Sequence, residues 1–267
     1  MYSVGLIGAG NMGRAMLNAW IDSGILRPEE VNAIDREPDK LAAIVSEFKV
    51  DKAASLSDMA NSSSLLVLAV KPQDTADVLS ELSGKLGDSQ VLLSIAAGLT
   101  LGSIRGQVGE GPSLVRVMPN MAALVRAAAS AYATDPGPAG LDTAGIKELL
   151  GAIGEVVNVE EKYMNLVTAL SGSGPAYFFY LTEALETAAI EQGLPEDVAR
   201  TLARETLWGA AKTIKETAAE PGELRKAVSS PGGTTLAALS EMDSSGFVEM
   251  MARAIEAATR RAAELAS

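Results

Sequence analysis

The stretch Ser229-Ser230-Pro231-Gly232-Gly233-Thr234-Thr235 places hydroxyls and two glycines between two helix-like runs. A link between helices needs only a stop and a cap. This one offers more. Glycines let backbone approach a ligand closely, and the amides of a helix start can meet an anion. Ser230, Thr234 and Thr235 carry the hydroxyls, and Gly232 and Gly233 are the two glycines. The same residues also make an ordinary helix stop and N-cap.

A second constellation lies near the N-terminus. The apolar run YSVGLIG leads into Gly8-Ala9-Gly10-Asn11-Met12-Gly13, and a helical pattern follows at once. In this G-x-G-x-x-G, Gly8 permits the tight turn, Gly10 lets a pyrophosphate approach the backbone, and Gly13 lets helix pack on strand. Asn11 and Met12 stand at the helix start, whose N–H groups face the phosphates. Asp35 ends the next apolar run, VNAID, at the spacing of about 20 residues where an acid holds a ribose 2′-hydroxyl. Arg36 follows, and an arginine there can pair with a 2′-phosphate. NADH and NADPH are both left open. Ala69-Val70-Lys71-Pro72 and the segment Ser94 to Gly98, with Ala96 and Gly98, follow two further apolar runs, and Asn120 closes a third, SLVRVMPN. In open α/β sheets such strand ends border the ligand.

The chain has no histidine and no cysteine. That removes thiol nucleophiles, histidine triads, disulfides and Cys/His zinc sites together. No compact carboxylate constellation stands outside charged helix faces, so no metal site is expected. Chemistry must rest on hydroxyls, Lys, Tyr, carboxylates, backbone groups or a bound cofactor.

The elements that would position these residues change character along the chain. Strand-like runs alternate with helical patterns through the first half, as βαβ units do. LLVLAV is apolar throughout, which suits a parallel strand covered on both faces. After VVNVEEKYMNL no further strand is expected. PAYFFYLTEALETAAIEQG reads as a helix apolar on nearly all sides, hence buried in a core or against a partner chain. Gly193 ends it, Pro195 opens the next helix, and a final helix places Phe247, Met250, Met251, Ile255, Ala258, Ala262 and Leu265 at helical spacing. The expected architecture is α/β: a Rossmann-type parallel-sheet domain over 1–160 and an all-helical domain over 161–267.

The net charge of −12 repels a phosphate backbone, so no nucleic-acid partner is expected. No apolar run approaches the roughly 20 residues that span a bilayer, so no membrane partner is expected either. The first strand is expected from residue 2, which leaves no room for a signal peptide, and the protein reads as cytoplasmic.

Several blocks converge on one family. GAGNMG, LAVKPQ, SIAAGLTL, RVMPN, LSGSGPAYFFYLTEAL, LGAAK and above all SSPGGTT resemble pyrroline-5-carboxylate reductases, in that family's order over essentially the whole chain. The resemblance implies a Rossmann domain, a helical domain that dimerises by interleaving with a second copy, and often further assembly. It implies reduction of 1-pyrroline-5-carboxylate to L-proline, where the nicotinamide of NADPH or NADH meets the SPGGTT turn of the partner chain. On that resemblance the Ser230 hydroxyl and the N–H groups of Gly232, Gly233 and Thr234 would bind the substrate's carboxylate, and Thr235 would be the catalytic residue, its hydroxyl aimed at the imine nitrogen. Three departures stand out. The family's M-P-N-T-P-A-L-V-G reads MPNMAALVR here, Glu220-Pro221 replaces a frequent His-Pro, and Asp35-Arg36 replaces a frequent Asn-Arg. Other readings are a 3-hydroxyacid dehydrogenase, disfavoured because Lys162 and Asn165 precede the SGSGP turn, a reductase of a related cyclic imino acid, and a non-catalytic dinucleotide-binding protein.

Overall fold

The computed structural model describes residues 3–266, so Tyr2 of the first expected strand lies outside the described residues. In chain order come β1 (Val4–Ile7), α1 (Asn11–Asp22), β2 (Val31–Ile34), α2 (Pro38–Phe48), β3 (Asp51–Lys52), α3 (Leu56–Ser62), β4 (Leu65–Leu68), α4 (Thr75–Leu82), β5 (Val91–Ser94), α5 (Leu101–Val108), β6 (Ser113–Met118), β7 (Ala128–Asp135), α6 (Thr143–Gly151) and β8 (Gly154–Asn158). The strands form one sheet in the order β3-β2-β1-β4-β5-β6-β7-β8. Every neighbouring pair is parallel except β6 with β7.

Helices cover both faces, which is why the central strands carry no polar alternation. Leu65 and Val67 of β4 pack with Trp20, Ile44 and Leu149 on one face. Leu66 and Leu68 pack with Met59, Leu79 and Ile104 on the other. The buried Trp20 also needs a partner for its N–H, and Nε1 donates to the Leu149 carbonyl at 2.8 Å, tying α1 to α6.

The antiparallel return of β7 has a local cause. Between β6 and β7 the chain makes only a short 3₁₀ turn, Met121–Val125, closed by Arg126 in the left-handed region at φ 55°. A parallel return needs a crossover of about a dozen residues or more, and this link is too short for one.

Beyond β8 come α7 (Met164–Val167), a π-helical turn (Thr168–Gly172), α8 (Gly174–Glu191), α9 (Glu196–Thr217), α10 (Pro221–Ala227), α11 (Thr234–Ser244) and α12 (Phe247–Ala266), with no further strand among the described residues. Two compact units result: the residues up to Ser173 with those from Ala257 onward, and Gly174–Glu256. The second unit is helical. Within it Arg204 of α9 donates to Glu186 of α8 at 2.9 Å. Gly193 follows α8 at φ 92°, and Pro195 stands at the N-cap of α9. The apolar helix α8 is not covered by this chain: Phe178, Phe179, Tyr180 and Leu185 are each more than half exposed.

Candidate functional site

Each glycine of the first turn has a different reason to be glycine. Gly8 sits at φ 109°, and a Cβ there would lie 2.7 Å from the Ala69 backbone carbonyl. A Cβ on Gly13 would lie 2.3 Å from the Gly8 oxygen. The protein's own packing therefore demands both. Gly10 is different: it is the N-cap of α1, and a Cβ added there meets nothing within 4 Å. Nothing in the chain requires glycine at 10, so the open space above it suits the close approach of a ligand. No side chain caps α1, so its first-turn amides are open to an anion.

The sheet places this turn at its switch point. From β1 the chain moves outward to β2 and β3, then returns to β4 on the other side of β1. A crevice opens where the order reverses, at the carboxyl ends of the strands. Two clefts of about 410 and 570 Å³ meet there and share Gly10, Lys40, Ala69, Val70 and Lys71. One runs toward β2, past Gly8, Asp35, Arg36, Glu37 and Asp74. The other runs past Asn11, Met12 and Pro72 to Ala96, Met118 and Pro119. A phosphate-binding turn with a lobe on each side fits a ligand made of two nucleotides.

Gly98 and Asn120, expected at the same site, line neither lobe. A Cβ on Gly98 would lie 2.4 Å from the Leu265 carbonyl oxygen, and the residue sits at φ 79°, so packing accounts for this glycine. Asn120 caps the 3₁₀ turn: its Oδ1 accepts from Ala122 N at 3.2 Å, and its Nδ2 donates to the Ser171 carbonyl at 3.1 Å.

The end of β2 is tightly organised. Asp35 Oδ2 accepts from Ala9 N at 2.6 Å, and Oδ1 accepts from Glu37 N at 2.7 Å. The carboxylate thus fastens the glycine-rich turn to the next loop. Arg36 donates to Asp74, which stands at the N-cap of α4. Lys40 pairs with Glu37 at 2.5 Å. Sequence reasoning missed Glu37, Lys40 and Asp74. The available signal was their place one turn beyond motif residues, Asp35-Arg36 and Lys71-Pro72.

The Ser-Pro-Gly-Gly-Thr-Thr turn lies in the helical unit. Gly232 sits at φ 71°, and Gly233 donates its N–H to the Ser230 carbonyl at 2.9 Å. A Cβ on Gly233 would lie 2.5 Å from Ser230 Oγ. Gly233 then starts α11, again with no side-chain cap. The turn does supply the N-cap of α11, but through Gly233 and without using a hydroxyl. Helical threonines elsewhere in this unit turn back on their own helix: Thr182, Thr201 and Thr213 donate to the carbonyls of Phe178, Asp197 and Gly209. Thr235 lies in the first turn of α11, where no helical carbonyl stands four residues back, and its hydroxyl has no hydrogen-bond partner among the described residues. Its hydroxyl and the Thr234 amide are open, while the Gly233 amide is taken by the Ser230 carbonyl.

No group of three His, Cys, Asp or Glu side chains among the described residues could hold a metal. No helix among them is long and apolar enough to cross a membrane.

The family model described as pyrroline-5-carboxylate reductase dimerisation matches residues 161–265, and one described as NADP oxidoreductase coenzyme F420-dependent matches 3–98. The chain is 37% identical to a pyrroline-5-carboxylate reductase of Methanosarcina acetivorans over 98% of its own length and 97% of the relative's. A solved pyrroline-5-carboxylate reductase from Coxiella burnetii superposes with a TM-score of 0.93 at 33% identity, covering 100% of this chain and 99% of that one. A Plasmodium falciparum pyrroline carboxylate reductase with NADP bound gives 0.83 at 26% identity, covering 100% and 98%.

Proposed function

Because the chain belongs to the pyrroline-5-carboxylate reductase family, we propose that it reduces the C=N bond of 1-pyrroline-5-carboxylate to L-proline with NADPH or NADH. One observation carries this reading: a single chain holds both a two-lobed dinucleotide cleft and an uncapped Ser-Pro-Gly-Gly-Thr-Thr turn.

The first unit fits the dinucleotide, because Gly10 leaves open the space a Cβ would fill and the first-turn amides of α1 are uncapped. Gly8, Gly10, Asn11, Met12 and Gly13 would cradle the phosphates. Asp35 and Arg36 would border one ribose, while Ala69, Val70, Lys71, Pro72 and Ala96 would line the path between the lobes. Gly98 and Asn120 would support that wall through their packing. When bound, the dinucleotide supplies the hydride.

The helical unit would hold the substrate. The amides of Gly232 and Thr234 and the Ser230 hydroxyl suit its carboxylate, whereas the Gly233 amide, expected from the sequence to join them, is already given to the Ser230 carbonyl. Thr235 would hydrogen-bond the ring nitrogen and fix its orientation. A threonine hydroxyl is a poor acid, so the proton comes with the iminium form of the substrate, and Thr235 contributes positioning. That division of labour explains how a chain without histidine or cysteine can perform the reduction.

The exposed apolar α8 and the matched dimerisation model support a homodimer or a higher homo-oligomer. Functionally we draw the domain boundary between residues 160 and 161, and we place the reaction in the cytoplasm, where free amino acids feed protein synthesis. An initial-rate assay with pyrroline-5-carboxylate, following loss of NADPH and separately of NADH, tests the reading. Turnover is expected. A folded protein that binds dinucleotide but never turns over would leave the non-catalytic alternative standing.

A further inference from the structure

The lobe beside β2 carries charges that bear on which dinucleotide enters it. Arg36 is the side chain best placed by type to meet a ribose 2′-phosphate, and it is already paired with Asp74. The second cation of that lobe, Lys40, is paired with Glu37. Asp35 keeps its carboxylate fixed by two backbone N–H donors. Asp77 and Glu81 add two more carboxylates to the same lobe. Lys71 lies where both lobes meet, the place of a pyrophosphate.

A 2′-phosphate brings close to two negative charges. To enter, it would have to displace Asp74 from Arg36 while lying near the Asp35 carboxylate. A ribose 2′-hydroxyl carries no charge and can donate to a carboxylate. We infer that this chain selects NADH over NADPH, and that Asp74 sets the selection by holding Arg36 away from the 2′-phosphate. The inference rests on the dinucleotide reading of the cleft. It sets the chain apart from the Plasmodium protein, which holds NADP.

Binding, rather than turnover, is the readout. The wild-type protein would be titrated with NADH and with NADPH by calorimetry, and NADH is expected to bind more tightly. Asp74→Asn should tighten NADPH by about tenfold, the scale of one charge-assisted hydrogen bond regained, and leave NADH within about twofold. Adding Arg36→Ala to that variant should abolish the gain, because the two residues act as a pair. NADPH binding as tightly as NADH to the wild type, or Asp74→Asn shifting both alike, would overturn the inference while leaving the cleft's assignment intact. Failure of the wild type to bind either dinucleotide would overturn the assignment and the inference together.

Discussion

The two compact units differ most in what they bury. In the first, both faces of the sheet are closed: Leu66, Leu68 and Val115 have no accessible surface at all. In the second, Gly174 and Ala199 are the only residues in the buried class among those described, while Phe179 and Leu185 stand in solvent. One chain therefore completes the sheet unit and supplies only part of a core for the helical one. The match of this segment to a dimerisation family fits a helical unit that one chain does not close.

The largest effect should come from opening the sheet unit. Trp20→Ala removes a fully buried side chain and leaves the Leu149 carbonyl without its donor. The expected loss is about 3–5 kcal/mol, read as a lower urea midpoint, with the oligomeric state under native conditions unchanged. If the variant instead dissociates at native stability, the sheet unit is not the self-sufficient one.

Charges on α8 should act in the opposite sense. Phe179→Glu with Leu185→Glu would place carboxylates in the exposed apolar surface where a second copy is proposed to dock. Light scattering should show a smaller species, turnover should fall, and the urea midpoint of the sheet unit should persist. Retention of the native mass would break the comparison, since these side chains would then be exposed for some other reason.

Thr235→Ala sharpens the division between the units. Loss of an orienting hydroxyl should lower kcat/KM by about tenfold or more, while dinucleotide affinity, measured by titration, stays unchanged. Equal losses in both would mean that the helical turn also builds the cofactor site.

The sequence disclosed these two regions unevenly, for physical reasons. Strands such as β4 are legible because burial on both faces makes them unbroken apolar runs, LLVL. The strand β7, AASAYATD, is not. Its alanines favour helix, and only pairing with β6 and β8 overrides that preference. The two-residue β3 is too short to leave a pattern. At the site, the glycine-rich turn was legible because its neighbours in space are neighbours in sequence. Asp74 was not, because its partner Arg36 lies on another loop and only the fold brings them together. Gly98 illustrates the reverse: it follows a strand end as a ligand residue would, yet Leu265 from the last helix occupies the space beside it.

The smallest expected effect concerns the surface of the sheet unit. Arg27 caps the short 3₁₀ turn Pro28–Glu30, and Glu30 reaches back to it, accepting from Arg27 N at 2.8 Å and from its guanidinium at 3.1 Å. Hydrogen bonds from Arg27 hold the Glu30 carboxyl below its ordinary value of 4.5. The folded state therefore binds this proton less readily than the unfolded chain does. The pair's contribution is present in full above pH 4.5 and is lost as pH falls through the folded value. Glu30→Gln should lower the unfolding midpoint slightly at neutral pH, and the gap to wild type should close on acidification. Because the Arg27 side of the pair is open to water, high salt should also shrink the gap. A gap that is large, or that survives acid and salt, would mean that surface charge rather than apolar burial carries the stability by which the two units differ.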